Sequence, residues 1–292
     1  MEVSFLITTR NRPDALSVTL NKLKQIIDIG LHEVLVFIDG CEKTEMLIKD
    51  FDWVKWEVSK IHFGASPARN HLYKKAKAPI LIGLDDDAHP ITTNFIETVK
   101  QRFDSLETCG IIAFQEVKGI FESDQAALQH ANHTQIYETN EFIGCGFAIK
   151  NKVYGATNGF PLWMDIYGEE SALSIEVLDL GYTIIYDGSI VVNHRVNQEK
   201  RKQQRKNYFR FEHQLKNILL YFLIYHPKPA KKIIKTLIHN FKKYAVKDAS
   251  FFKLYIKAII NVLLNYKTIK KYRKPIKPET LAKRYRLKGL KF

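Results

Sequence analysis

Three β-prone runs, each closed by a polar cluster and separated from the next by a helix-like stretch, constrain this chain more than any other feature. Val3 to Thr9 is followed by Asn11-Arg12-Pro13-Asp14 and then by Leu16, Leu20, Leu23, Ile26 and Ile27 at helical spacing, which reads as strand, loop, helix. Val34 to Ile38 ends at the turn signal Asp39-Gly40, and Pro79 to Leu84 ends at Asp85-Asp86-Asp87, each after a helix-like segment. Repeated strand and helix units predict an α/β fold on a mainly parallel sheet. Ligands of such sheets bind outside the carboxyl ends of the strands, so Thr8 to Arg12, Asp39-Gly40 and Asp85 to Asp87 are expected along one edge. Beyond residue 140 the pattern loosens. Phe142 to Ile149 is strand-like, Gly155 to Pro161 is a loop, and a helix opens at Gly168-Glu169-Glu170. Tyr182 to Tyr186 and Ile190 to Asn193 read as two short strands leading to His194.

At His194 the charge balance reverses. Residues 1–194 carry 17 Lys+Arg against 27 Asp+Glu, and residues 195–292 carry 28 against 4, which together make the formal +14. So basic a second part points to a polyanion, either nucleic acid or an anionic membrane. With 292 residues, 46% of them hydrophobic, the chain can bury a large core, and 9 prolines and 14 glycines exclude collagen-like and low-complexity readings. Cys41, Cys109 and Cys145 are odd in number and lack C-x-x-C spacing, which argues against a disulfide framework or structural zinc and for a reducing cytosol. The opening Met1-Glu2-Val3-Ser4 shows no targeting signal. The apolar stretches Ile218 to Tyr225 and Ala258 to Tyr266 fall short of the roughly 18 residues that a spanning helix needs.

Chemistry-bearing residues cluster at the predicted edge. Three consecutive carboxylates after a buried strand repel one another, and a hard cation with oxygen ligands, Mg²⁺ or Mn²⁺, would relieve that and hold substrate phosphates; a loop or capping role is the plainer alternative. Glu169 and Glu170 suit the positive end of a helix dipole and equally suit a general base. His194 is either structural or a further ligand to the cation. Arg10, Arg12 and Arg69 can pair with phosphates or simply lie exposed, and Asp39 serves a turn or a nucleotide hydrogen bond.

Taken in order, Val3-Ser4-Phe5-Leu6-Ile7-Thr8-Thr9-Arg10-Asn11-Arg12, Val36 to Gly40, Gly64-Ala65-Ser66-Pro67-Ala68-Arg69-Asn70, and Leu84-Asp85-Asp86-Asp87-Ala88-His89-Pro90 resemble the nucleotide-sugar half of a family 2 glycosyltransferase of the GT-A fold. The resemblance runs on through Phe142 to Ile149, Asn158-Gly159-Phe160 and Gly168-Glu169-Glu170-Ser171-Ala172-Leu173-Ser174 to Gly181-Tyr182 and His194. It implies a GT-A, Rossmann-like α/β catalytic unit over 1–198, with a nucleotide-sugar half at about 1–100 and an acceptor half at about 101–198. A basic amphipathic helical tail would follow over 199–292.

It further implies inverting transfer from a UDP- or dTDP-linked sugar to a glycan or lipid-linked acceptor, with Mn²⁺ or Mg²⁺. Thr8, Thr9, Arg10, Arg12, Asp39, Arg69, Asp85 and Asp86 would bind the nucleotide sugar, and Asp87, Asp85 and His194 would hold the metal. Glu170 stands where the family's Glu-Asp pair has Asp, so either Glu169 or Glu170 would be the base.

In the tail, Ile233, Ile234, Leu237, Ile238 and Phe241 form one face of a lysine-rich helix. Phe251 to Tyr266 forms another helix with a broad apolar face, suited to lying in a membrane interface. The family's cell-surface glycan branch, with its rhamnosyltransferase-like members, often has such a tail, and Lys274-Pro275-Ile276 resembles its ending. The expectation is a cytoplasmic enzyme, peripheral on the inner face of the cell membrane; packing on the catalytic unit, an oligomer and nucleic acid are the alternatives for these faces. Two rival functions are a nucleotidyltransferase, disfavoured because Thr8 to Arg12 lacks glycine, and a non-catalytic basic binding module.

Overall fold

The computed structural model describes residues 1–132, 134–197 and 207–290; the boundary expected at 198–199 lies outside them. The elements run β1 (Val3–Thr9), α1 (Pro13–Lys24), β2 (His32–Asp39), α2 (Glu42–Glu45), β3 (Lys55–Ser59), α3 (Ala65–Tyr73), β4 (Ile80–Asp85), β5 (Ala88–Pro90), α4 (Phe95–Ser105) and β6 (Cys109–Lys118). Then come α5 (Asp124–Leu128), β7 (Ile136–Thr139), β8 (Gly146–Lys150), α6 (Asn151–Ala156), α7 (Glu169–Asp179) and β9 (Thr183–His194). Among the described residues five basic-region helices follow: α8 (Tyr208–Tyr225), α9 (Ala230–Lys243), α10 (Ala249–Leu264), α11 (Tyr266–Tyr272) and α12 (Pro278–Arg286).

The nine strands form one mixed sheet in the order β3-β2-β1-β4-β8-β6-β9-β5, with β7 also on β9. β1 lies parallel between β2 and β4, and Thr8 stands level with Phe37 and Asp85. The carboxyl ends of these three strands therefore coincide. Their near-continuous apolar sequences follow from burial on both faces. Phe5 and Ile7 point toward Leu16, Leu20, Phe95 and Val99, while Leu6 and Leu35 meet Leu72, Tyr73, Leu173 and Val177 on the opposite side.

Two local expectations change. Tyr182–Tyr186 and Ile190–Asn193 belong to one strand, β9, interrupted by a bulge: its register against β6 jumps from Phe114 opposite Asp187 to Gln115 opposite Val191. Side chains replace the ladder at that point, since Gln115 Nε2 donates to the Gly188 carbonyl at 2.6 Å and Arg102 Nε to the buried Asp187 at 2.7 Å. The strand expected from Phe142 begins only at Gly146. A Cβ at Gly144 would lie 2.5 Å from both Arg69 Nη1 and Glu170 Oε1, so the backbone there passes against these two side chains instead of joining the sheet.

The basic region is fastened to α7. Tyr221, Ile224 and Tyr225 of α8 pack with Ile276 against Met164, Ala172 and Ile175. The buried Glu176 accepts from the Tyr225 hydroxyl at 2.7 Å, Lys274 Nζ at 2.8 Å and the Asn158 amide at 3.0 Å. Outward, α9 buries no residue. Ile234, Ile238 and Phe241 are exposed there, as are Phe252, Ile256, Ile260 and Leu263 of α10. Among the described residues no helix is long and apolar enough to cross a membrane.

Replacing Glu176 by alanine leaves the Tyr225 hydroxyl and an Asn158 amide without their acceptor, and is expected to cost about 3 kcal/mol in urea unfolding. A loss under about 0.5 kcal/mol, the size of an ordinary surface substitution, would show that this contact does not secure the helices.

Candidate active site

At the shared carboxyl edge lies a cleft of about 550 Å³ lined by Thr8, Thr9, Arg10, Arg12, Asp39, Arg69, Asp85, Glu169 and Glu170. Each arrives from a different element for a local reason. Thr8 and Thr9 end β1, Asp39 ends β2 and Asp85 ends β4. Arg69 sits one turn into α3, and the two glutamates form the first turn of α7, where the exposed backbone amides favour negative charge.

Arg69 is the centre of the cleft's charge arrangement. Its guanidinium, 8% exposed, meets Asp85 Oδ1 at 2.6 Å and Glu169 and Glu170 Oε1 at 3.5 Å each, and also donates to the Gly144 carbonyl at 3.3 Å. Burial opposes its charge, but Asp85, Glu170 and Glu169 outweigh that and raise its pKa, so it stays protonated. Burial pushes Glu169 up to about 8, reinforced by Glu170 and opposed by Arg69. Glu170 is raised too, by burial against the pull of Arg69. The pair differs in access, since the side chain of Glu169 is 5% exposed and that of Glu170 24%.

Asp85, Asp87 and His194 bring one donor atom each within 4.8 Å of one another. His194 Nε2 is 3.2 Å from Asp87 Oδ1, and its Nδ1 is 2.6 Å from Glu116 Oε1. Such a carboxylate behind the imidazole fixes which ring nitrogen faces the acidic residues, as is usual for a metal-binding histidine. Burial disfavours charge on His194, yet hydrogen bonds with Asp87, Cys145 and Glu116 push it up to about 12. Burial acts against Asp87 as well, and His194 and Arg12 bring it down to about 2. Two carboxylates and an imidazole fit a hard divalent cation such as Mn²⁺ or Mg²⁺.

Asp86 takes another course. Its side chain is fully buried, and there Thr9 Oγ1 donates to it at 2.7 Å and Arg12 Nη2 pairs with it at 2.5 Å. Arg12 also holds Asp87 at 2.8 Å, so much of its hydrogen-bonding capacity is committed within the protein. Arg10 is exposed at the rim. Asp39 accepts from the backbone amides of Phe63 at 2.6 Å and Gly64 at 3.0 Å and lies 2.7 Å from His62 Nδ1, which shapes the loop before α3.

Several site residues gave no signal in the sequence. Glu116 lies mid-strand, and His62, Asp165, Tyr167 and Phe209 enter the cleft from loops and from the start of α8. Tyr167 adopts φ +70° and Gly168 φ +111°, a strained entry to α7 for a bulky aromatic residue. It is held from the basic region, where buried Asn217 donates its Nδ2 to the carbonyls of Ile166 at 2.7 Å and Tyr167 at 3.1 Å.

Residues 4–156, just over half of the chain, match Glycosyl transferase family 2, and the chain belongs to that family. Its fold is the GT-A fold. Solved structures of similar fold include GalNAc-T7 with UDP, GalNAc and Mn²⁺, at 17% identity and TM-score 0.62, over 80% of this chain and 49% of that one. Another is the mannosyltransferase PcManGT from Pyrobaculum calidifontis in complex with GDP-Man and Mn²⁺, at 15% and 0.58, over 93% of this chain and 83% of that one. A third is S. aureus TarS 1-349 in complex with UDP-GlcNAc, at 15% and 0.59, over 88% and 79%. The chain thus spans about half the length of GalNAc-T7. At these identities the likeness is one of fold. No curated protein sequence matches the chain.

The raised pKa of Glu169 has a defined consequence for the unliganded protein. A carboxyl at about 8 in the folded state, against an ordinary value of 4.5, holds a proton that the unfolded chain has already released, so its contribution to stability falls as pH rises through that interval. Glu169→Gln is expected to flatten this part of the melting-temperature profile between pH 5 and pH 8 relative to the parent. Parallel profiles for the two proteins would contradict the assignment.

Proposed function

We propose that the chain transfers a sugar from a UDP- or dTDP-linked donor to a hydroxyl of a glycan or lipid-linked acceptor, inverting the anomeric carbon, in cell-surface polysaccharide synthesis of the rhamnosyltransferase-like kind. The observation that carries this reading is the chain of contacts from Asp85 through Arg69 to Glu170, spanning 2.6 Å and 3.5 Å across one cleft. Mn²⁺ beside UDP in GalNAc-T7 and beside GDP-Man in PcManGT supports a nucleotide donor and a divalent cation.

In this reading Thr8, Thr9, Arg10 and Asp39 line the nucleotide pocket, while Asp85, Asp87 and His194 hold Mn²⁺ or Mg²⁺. The bound ion supplies positive charge to the departing diphosphate. Arg12 and Asp86 act indirectly, by fixing Asp87 and the end of β1. Arg69 adds a permanent positive charge beside Asp85 and keeps the two glutamates in place. Glu170, the more accessible of the pair, accepts the proton of the acceptor hydroxyl as that oxygen attacks the anomeric carbon from the side opposite the diphosphate. Glu169, more deeply buried, serves Arg69. One in-line displacement leaves the proton on Glu170 and inverts the sugar centre.

We assign residues 1–198 to the catalytic unit and the remainder to a basic helical region that rests on the cytoplasmic face of an anionic membrane. The support is the exposed stripe of Ile234, Ile238 and Phe241 beside exposed Lys231, Lys235 and Lys242, an arrangement that suits interfacial burial and anionic headgroups.

A thermal-shift panel of UDP, dTDP, GDP and CMP, each with and without Mn²⁺, tests the site. One diphosphate should stabilise the parent only with the ion, by about 2.7 kcal/mol at one hundred times its dissociation constant, and should leave Asp87→Ala unshifted. No shift at saturating ligand, or an equal shift in the variant, overturns the assignment.

The membrane contact is tested by sedimentation with phosphatidylserine vesicles. Binding should fall at high salt and be lost in Lys231→Glu/Lys235→Glu/Ile238→Asp. Sedimentation of this variant equal to that of the parent would contradict it.

A further inference from the structure

A second cavity, of about 690 Å³, lies apart from the nucleotide cleft. It opens on the other side of the turn that leads into α7, between that turn and helices α8 and α9. Tyr167 lines both spaces. Gly168 and Ser171 face the larger cavity, while Glu169 and Glu170 face the cleft. The first turn of α7 thus lies where the two spaces meet at Tyr167, and it carries the proposed base on the cleft side.

The chemistry of the cavity wall is specific. Arg210 is the only charged side chain among its described lining residues; carboxamides come from Gln214 and Asn240, hydroxyls from Ser171, Thr236 and Tyr221, and ring faces from Tyr167 and Tyr244. Gln214 is exposed, and its side chain makes no hydrogen bond to the other described residues. Asn217, 1% exposed, has its Oδ1 unpartnered while its Nδ2 holds the strained Ile166–Tyr167 turn. Aromatic planes with planar amides and few charges suit a ligand whose rings have an apolar C–H face and a rim of hydroxyls. The volume is within the range of small-molecule sites, which bury most of the ligand. An acidic peptide or nucleic acid would call for several cations; the apolar part of the wall, Met164, Phe211, Leu215, Ile218 and Phe251, would meet the C–H faces of the sugar rings.

We propose that this cavity seats the saccharide end of the acceptor, so that the hydroxyl to be modified passes the Tyr167–Gly168 turn and reaches Glu170. The inference rests on the glycosyl-transfer reading of the neighbouring cleft and deepens it: the basic region contributes half of the acceptor site through α8 and α9. Gln214 and Asn240 bind the acceptor sugar, and Tyr167 stands between acceptor and donor, its ring covered by the Arg210 guanidinium at 5.2 Å.

The test uses the full chain with Mn²⁺, UDP- and dTDP-linked sugars as donors and a library of p-nitrophenyl mono- and disaccharides as acceptors, read as the release of nucleoside diphosphate stimulated by each glycoside. At least one glycoside should stimulate release. For that glycoside, Gln214→Ala and Asn240→Ala should each raise KM about tenfold, the value of one well-placed hydrogen bond, while the Mn²⁺-dependent nucleotide thermal shift stays that of the parent.

An unchanged glycoside KM in both variants overturns the proposal, as does the absence of stimulation by every glycoside in a protein that still shows the nucleotide shift. Loss of the nucleotide shift in the unaltered protein is instead the failure of the cleft assignment, on which this proposal depends.

Discussion

One buried guanidinium holds the candidate site together. Arg69 reaches from α3 to the end of β4 and to the start of α7, and without it Asp85, Glu169 and Glu170 would face one another across a water-poor cleft with no intervening cation. Like charges at that range in partly desolvated surroundings favour taking up a proton, and Arg69 opposes this without abolishing it, since Glu169 is still pushed up to about 8. Lysine could not substitute, because a single ammonium cannot address carboxylates on two sides with a rigid planar fork. The backbone has adapted to the same group, since at Gly144 any side chain would collide with Arg69 and Glu170.

From that centre the remaining architecture follows in both directions. Toward the sheet, the acidic triplet divides its labour: Asp85 and Asp87 stay with His194, and Asp86 turns inward to Thr9 and Arg12. Toward the basic region, the strained Tyr167–Gly168 entry to α7 is secured by Asn217 of α8. The helices beyond β9 are therefore part of the site's support, and their outer apolar stripe is a separate feature of the same helices. Strain at the entry to α7 is tolerated because packing and two side-chain hydrogen bonds fix it from outside.

The sheet was legible because its central strands are buried on both faces and so write long apolar runs ending in polar turns; Asp85, Thr9 and Asp39 end three such strands at successive levels of one edge. Periodicity and turn chemistry are local signals, and these elements are local. The interrupted β9 misled the reading, because Asp187, Gly188 and Ser189 resemble a loop until Arg102 and Gln115 are seen to satisfy them from elsewhere. Glu116 and Asn217 could not be picked out either. Each acts through a partner distant in sequence, at 78 residues for His194 and about 50 for the Ile166–Tyr167 carbonyls, and neither lies in a pattern that marks it. The strand pattern brought the three polar clusters to one edge, as the parallel register of β1, β2 and β4 does; how Arg69 and Asp86 are used is visible only in three dimensions.

The central claim is that Asp85, Asp87 and His194 form a cation site that Arg69 joins to the proposed base. Electron paramagnetic resonance of Mn²⁺ titrated into the full chain measures it most directly. The account predicts one bound ion per chain, with affinity lowered about tenfold or more in His194→Ala and in Asp85→Asn, the range typical of lost ligands and their close supports. Manganese binding that is undiminished in both variants would show that these residues do not hold the ion and would contradict the account at its base.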